Sequence, residues 1–305
     1  MSTAVETADL AIRFGGNRVL DGLNLSVTEG AVYGLVGPNG AGKTTTLKIL
    51  MNLLRPSAGR ATVMGRDSTR LGAEDFTRIG YVSESQRLPS WMTVREFLDY
   101  MKPFYPDWDD ARRDVLLQRF DLPGNRKLKH LSRGMLMKAA LASSLAYRPR
   151  LIVMDEPFSG LDALVRDELI EGLLENADGA TVVLSSHDLA EIESFASDIG
   201  YLDGGRLLFS EEMASLRGRF REVLVCLDAP RPLPPEWPRD WLRPEAAGAA
   251  VRFFDSRFDE QRTASEVRRL FGDVREISFQ PMPLRSIFVA LAKAPGSAKT
   301  SGKAA

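Results

Sequence analysis

The spacing of apolar residues changes character several times along the chain. Residues 5–36 favour strands: Asp9-Leu10-Ala11-Ile12-Arg13-Phe14 alternates, Gly15-Gly16-Asn17 supplies a turn, and 19–27 alternates again, which predicts a small antiparallel sheet. Val32-Tyr33-Gly34-Leu35-Val36 is a short apolar strand that enters a glycine-rich turn, and a helical pattern follows over 43–54. Past Pro56, strands are expected near 61–64 and at 79–82. The segment 93–120 is charged and helical with paired aromatics, and reads as a helical insertion. Apolar strands return at 151–154 and 181–185 with an amphipathic helix over 163–174 between them. Continuous apolar runs mark strands buried on both faces, so this is a βαβ unit in a parallel sheet.

The texture shifts after Arg217. Residues 230–244, dense in Pro, Arg and Trp, read as an irregular connection. Strands at 222–227, 250–254 and 274–279 and a helix at 260–270 predict a small α+β appendage, and 294–305, without periodicity, reads as a disordered tail. The expected plan is therefore a first domain over 1–217 with its helical part at about 88–135, an accessory domain over 218–293, and the tail.

Composition narrows the partners. A chain of 305 residues with 44% hydrophobic content can bury one large core and a smaller second one. Forty Lys plus Arg against forty-one Asp plus Glu leave a net charge of -1, so no overall basic field draws the chain to nucleic acid or to an anionic lipid surface. The only cysteine, Cys226, has no partner for an internal disulfide and is expected to be a buried bystander thiol. No secretory leader is indicated, and no apolar run approaches the roughly 20 residues of a spanning helix. Direct membrane insertion is not expected; work at a membrane would require docking.

The candidate chemistry lies at the ends of the apolar strands. Gly37-Pro38-Asn39-Gly40-Ala41-Gly42-Lys43-Thr44-Thr45 fits Gly, four residues, Gly-Lys-Thr, placed between a strand and a helix. Glycines let successive N–H groups converge, and the helix adds the positive end of its dipole, which makes an anion site. There Lys43 reaches β- and γ-phosphates, Thr44 is placed to ligate Mg²⁺, and Thr45 bonds a phosphate oxygen. Asp155-Glu156 closes an apolar strand with two acids, costly unless a cation or reacting group meets them. Asp155 suits a Mg²⁺ ligand and Glu156 a general base. His187 follows the next apolar strand just before a helix start at Asp188, where an imidazole senses the γ-phosphate. His130, among lysines, reads as a solvated residue.

Leu131-Ser132-Arg133-Gly134-Met135 resembles the Leu-Ser-Gly-Gly-Gln signature of ABC ATPases, and the chain is identified on it as a member of that family. Ser159-Gly160-Leu161-Asp162 looks like the family's D-loop, and the resemblance covers about residues 5–216. It implies an α/β fold: a P-loop NTPase ABC cassette with a mixed sheet core, an antiparallel β subdomain and a helical subdomain, here with the small C-terminal α+β domain. Ser132 and Gly134 occupy the signature positions that approach the γ-phosphate of the opposite subunit, so ATP would join two such chains. Arg133 and Met135 depart from the commoner pattern and resemble the Leu-Ser-Lys-Gly-Met form of a bacterial exporter subgroup. In the Q-loop, Gly80-Tyr81-Val82-Ser83-Glu84-Ser85-Gln86, Glu84 holds the register and Gln86 the residue type; Glu84 is taken as the counterpart that meets Mg²⁺-bound water. Phe14 matches the aromatic that stacks on adenine, against the alternative of a core phenylalanine.

The resemblance further implies an ATP-hydrolysing subunit at the cytoplasmic face of the membrane. Its partners would be a second ATPase subunit, the same chain or a paralogue, and a separate transmembrane permease, docked near residues 84–105 with Trp91, Met92 and Phe97 either as apolar anchors or as buried core residues. Pro283-Leu284-Arg285-Ser286-Ile287-Phe288 echoes a C-terminal helix of exporter subunits, which tilts the direction toward export. The rival is a soluble ABC ATPase acting on ribosomes or DNA; a scaffold without turnover conflicts with the presence of Glu156 and His187.

Overall fold

A computed structural model describes residues 2–292, so the tail expected over 294–305 lies outside the described residues. The chain divides into two compact units between Glu211 and Glu212. The first runs β1 (Thr3–Phe14), β2 (Asn17–Thr28), β3 (Val32–Val36), α1 (Lys43–Leu50), β4 (Ala58–Val63), β5 (Arg66–Asp67), α2 (Ala73–Phe76), β6 (Ile79–Ser83), α3 (Val94–Met101), α4 (Asp110–Arg119), α5 (Arg133–Leu145), β7 (Leu151–Asp155), α6 (Ala163–Asn176), β8 (Thr181–Ser186), α7 (Leu189–Ile192), β9 (Asp198–Asp203) and β10 (Arg206–Glu212).

Two sheets organise this unit, an outer one in the order β2-β1-β4-β5 and a central one in the order β10-β9-β3-β8-β7-β6. The outer pairs are antiparallel. In the central sheet β9, β3, β8, β7 and β6 run parallel, and β10 follows β9 through a two-residue turn, so the sheet is mixed. The alternation in β1 and β2 turns Leu10, Leu20 and Leu23 inward, where they join Leu35, Leu47, Ile49 and Val153 in one buried cluster. That cluster clamps α1 between the sheets and fixes the loop before it.

Helix α1 stops at Leu50, short of the expected 54, because Asn52 turns left-handed at φ 54° and the Leu53 N–H folds back to the Lys48 carbonyl at 2.8 Å. The helical insertion is well signalled locally. Thr93 and Glu96 form a reciprocal capping box on α3, and Asp109 caps α4. Helix α3 directs Val94, Phe97 and Leu98 inward; Phe97 is only 3% exposed, which removes it from the expected surface anchors.

The second unit contains α8 (Met213–Arg219), β11 (Arg221–Leu227), β12 (Trp241–Ala247), β13 (Ala250–Asp255), α9 (Glu260–Phe271), β14 (Val274–Pro281) and α10 (Leu284–Ala292). Its antiparallel sheet has the order β12-β13-β11-β14. Strand β12 begins inside the segment read from sequence as irregular and runs past its end. Its Pro244 is tolerated because β12 is an edge strand, and the register shifts between Leu242 and Glu245, around Arg243 at φ 52°. Cys226 on β11 is half-buried rather than buried, since alternate side chains of that strand face outward.

The carboxylate of Asp255 is fully buried at 0% exposure. It accepts from Thr263 Oγ1 at 2.6 Å, from Arg262 Nη2 at 2.9 Å and from the Arg257 N–H at 2.9 Å. Asp255→Ala strips the buried Thr263 hydroxyl and the Arg262 guanidinium together, and is expected to cost about 3 kcal/mol. Urea unfolding followed by tryptophan fluorescence checks this; a loss below about 1 kcal/mol would mean that the cluster carries little stability.

Candidate active site

The parallel strands end in register. Ser83 pairs with Asp155, Asp155 with Ser185, and Ser185 with Leu35, just ahead of the phosphate-type loop. Four carboxyl ends therefore converge, the place where open α/β sheets bind ligands. The loop after β3 is anchored by the Gly37 N–H donating to the Ser186 carbonyl at 3.3 Å. Its glycines answer two separate demands. A Cβ on Gly37 would lie 2.0 Å from the Leu202 carbonyl oxygen, and Gly42 adopts φ +109° with Leu20 Cδ2 2.6 Å from where a Cβ would stand.

Lys43 opens α1 and is 5% exposed. Its ammonium donates to the Gly37 carbonyl at 2.7 Å and the Pro38 carbonyl at 3.3 Å, and it lies 3.1 Å from Glu156 Oε1. The other oxygen, Oε2, accepts from His187 Nδ1 at 2.7 Å. Glu156 thus joins the loop lysine to the histidine, three residues from distant parts of the sequence. Beside them Thr44 Oγ1 donates to Asp155 Oδ1 at 2.9 Å. Lys43, Thr44, Glu156 and His187, with Asn39, Gly40, Gly42, Thr45, Glu84, Ser159 and Val19, line a cleft of about 520 Å³.

The bond from Glu156 holds His187 more basic than its ordinary 6.5. With the folded pKa raised, the pair stabilises the fold fully below that ordinary value, and this contribution is lost as pH rises through the folded pKa. Glu156→Gln should lower the midpoint of the His187 ring-proton NMR titration; an unchanged midpoint would contradict the coupling. The turn that carries His187 is fixed from behind, where Ser186 Oγ donates to the buried Glu191 carboxylate and accepts the Asp188 N–H at 2.9 Å. Burial pushes Glu191 above the usual carboxylate range.

Of the other expected site residues, Glu84 borders the cleft and the rest make contacts of their own. Phe14 is 47% exposed at the end of β1, a surface ring rather than a core one. Ser132 caps α5 by accepting from the Met135 N–H at 3.2 Å, and Gly134 is buried in the same first turn. Asp162 caps α6 through the Val165 N–H at 3.0 Å. Glu84 donates its N–H to the Asp155 carbonyl at 3.1 Å, while its carboxylate pairs with Arg133. Glu84 and Arg133, two residues that depart from the resembled motifs, meet each other in an ion pair. Gln86 donates its N–H to the Ser83 carbonyl at 3.0 Å and lines a second pocket of about 410 Å³ with Leu88, Leu128, Leu136 and Met137.

Sequence reading passed over Ser185, whose hydroxyl touches both acids of the site. The available signal was the Ser185-Ser186 doublet, which breaks an apolar run immediately before His187.

Residues 20–159 match the ABC transporter family. An uncharacterised ABC transporter ATP-binding protein of Synechocystis is 36% identical over 214 residues, a match that covers 67% of this chain and 60% of that protein. The daunorubicin/doxorubicin resistance ATP-binding protein DrrA of Streptomyces peucetius is 32% identical over 317 residues, 99% of this chain and 96% of the relative. Among solved structures, a dimeric ATP-binding cassette in a post-hydrolysis state with ADP and Pi is 26% identical with a TM-score of 0.60, over 68% of this chain and 98% of that one. The converging strand ends, the phosphate-type loop and this end-to-end likeness agree: the chain belongs to the ABC transporter family, as one of its ATP-binding cassettes.

Proposed function

We propose that this chain is the ATP-hydrolysing subunit of an ABC transporter, which dimerises on ATP and drives a separate membrane permease. The observation that carries the reading is Glu156 bound at once to Lys43 and His187 at the mouth of the phosphate-type loop. Lys43 supplies the charge for the β- and γ-phosphates, the backbone from Gly37 to Gly42 supplies N–H donors, and Thr45 and Asn39 border the same cleft. The exposed Phe14 ring offers its face to adenine.

Thr44 Oγ1 and Asp155 Oδ1, 2.9 Å apart, form an all-oxygen donor pair that fits Mg²⁺. When bound, Mg²⁺ neutralises charge on the phosphate oxygens. Glu84 lines the cleft and is assigned to the metal's water, with its charge balanced by Arg133. Glu156 takes a proton from water as that oxygen bonds to the γ-phosphorus; the bond to ADP breaks and phosphate leaves. His187, with Nδ1 committed to Glu156, keeps Nε2 for a phosphate oxygen.

One copy carries one loop and one signature, so two copies facing head to tail complete two sites, with Ser132 and Gly134 of each meeting the γ-phosphate held by the other. Hydrolysis removes the bridge and lets the pair open. The pocket lined by Gln86, Leu88, Leu128 and Met137 suits an apolar segment of the permease, and Trp91, 70% exposed, adds an anchor beside it. No described helix is long and apolar enough to cross a membrane; the proposed work with a permease is what would hold the subunit peripherally at the cytoplasmic face. The near full-length match to a drug-resistance protein supports export. The C-terminal unit is assigned to dimer support or regulation.

Two measurements test the reading. The purified chain should hydrolyse Mg-ATP, and it should co-purify from membranes with a multi-spanning permease. Recovery only with ribosomes or DNA would favour the rival soluble ATPase.

A further inference from the structure

Ser185 lies on β8 with 0% exposure, opposite Asp155 in the parallel register. A hydroxyl has one proton to give and lone pairs to receive, and Ser185 uses both on the two site acids. It donates to Asp155 Oδ1 at 2.7 Å and accepts the Glu156 N–H at 2.9 Å. Thr44 reaches the same Oδ1 from the other side, so the Asp155 carboxylate is held by two hydroxyls from two elements.

The second bond meets a particular need. Strand β7 ends at Asp155, and Glu156 adopts φ 49°, a left-handed conformation that a residue with a Cβ rarely takes without a constraint. The Glu156 N–H has left the strand, and the Ser185 hydroxyl is the acceptor that holds it. That turn aims the Glu156 side chain at Lys43 and His187.

We infer that Ser185 is a positioning residue, whose one hydroxyl sets both the orientation of Asp155 and the backbone turn of Glu156. The inference rests on the proposed roles of those two acids. It gives a physical meaning to a polar residue at the end of an apolar run: the Ser185 hydroxyl is committed to Asp155 and to the Glu156 N–H, and acts through those two neighbours.

The test compares Ser185→Ala with Ser185→Thr, which keeps the hydroxyl. Amide hydrogen exchange at Glu156, read without nucleotide or metal, should be at least about tenfold faster in Ser185→Ala and close to the parent in Ser185→Thr. In Mg-ATP turnover, Ser185→Ala should lower kcat about tenfold or more with KM within about twofold, and Ser185→Thr should recover most of it. If the added methyl prevents Ser185→Thr from folding, Ser185→Cys, with a weak donor of similar size, should give intermediate values in both readouts. Unchanged exchange at Glu156 in Ser185→Ala, or turnover within twofold of the parent, overturns the inference. A parent chain that hydrolyses no ATP defeats the functional reading instead, and the exchange comparison still decides whether Ser185 holds the turn.

Discussion

Glu156→Gln is expected to lower ATP turnover by about 10²- to 10⁴-fold, the range for loss of a general base, while the affinity for Mg-ATP stays within about threefold. The amide has nearly the shape of the carboxylate and keeps an oxygen to accept from Lys43, now 3.1 Å from Glu156 Oε1, but it takes no proton from water. Binding and chemistry therefore separate. If ATP bridges two copies and hydrolysis releases them, the variant should also persist as a dimer in Mg-ATP, visible by size-exclusion chromatography, where the parent returns to monomer as ATP is consumed. Turnover within tenfold of the parent would remove Glu156 from the role of base.

What the sequence disclosed about the site follows the range of the interactions involved. The phosphate-type loop and α1 are contiguous, so the Gly42 turn and the bonds of Lys43 to Gly37 and Pro38 lie within nine residues, 37–45. Caps behave the same way: Thr93 with Glu96, and Asp109, Ser132 and Asp162, each bond an amide three positions away, which local sequence expresses directly. The parallel sheet was legible because strands buried on both faces lose their alternation, as β7 and β8 do.

Pairings across the fold were not legible. Arg133 and Glu84 are separated by 49 residues, and each alone reads as an isolated departure from a motif; only the packing of the loop after β6 beside the start of α5 turns them into one charge-balanced pair. Ser185 reads as a small strand residue until register places it against Asp155. Strand β12 was hidden by its proline, since the rule that proline disfavours strands holds for central positions and relaxes at an edge. Phe97 stayed open between anchor and core because a short aromatic-rich helix gives few residues from which to tell its inward face; it is core.

Lys43→Ala is expected to act at the opposite step from Glu156→Gln. Buried to 5% exposure and held by the Gly37 and Pro38 carbonyls, the ammonium is fixed before any phosphate arrives, so little ordering cost remains on binding. Truncating one member of a buried, hydrogen-bonded charge pair costs about 2–5 kcal/mol, which translates to a loss of Mg-ATP affinity between about 30- and several thousand-fold. Glu156 would also lose one of its two partners and keep only His187. Linkage makes the contrast measurable without any chemistry: a ligand that binds the folded chain raises its melting temperature by an amount set by its concentration over Kd. Mg-ATP at a few millimolar should stabilise the parent and Glu156→Gln to a similar degree and leave Lys43→Ala almost unmoved. Equal stabilisation of all three would mean that the loop lysine does not hold the phosphates, and the loop would then be binding its ligand through backbone amides alone.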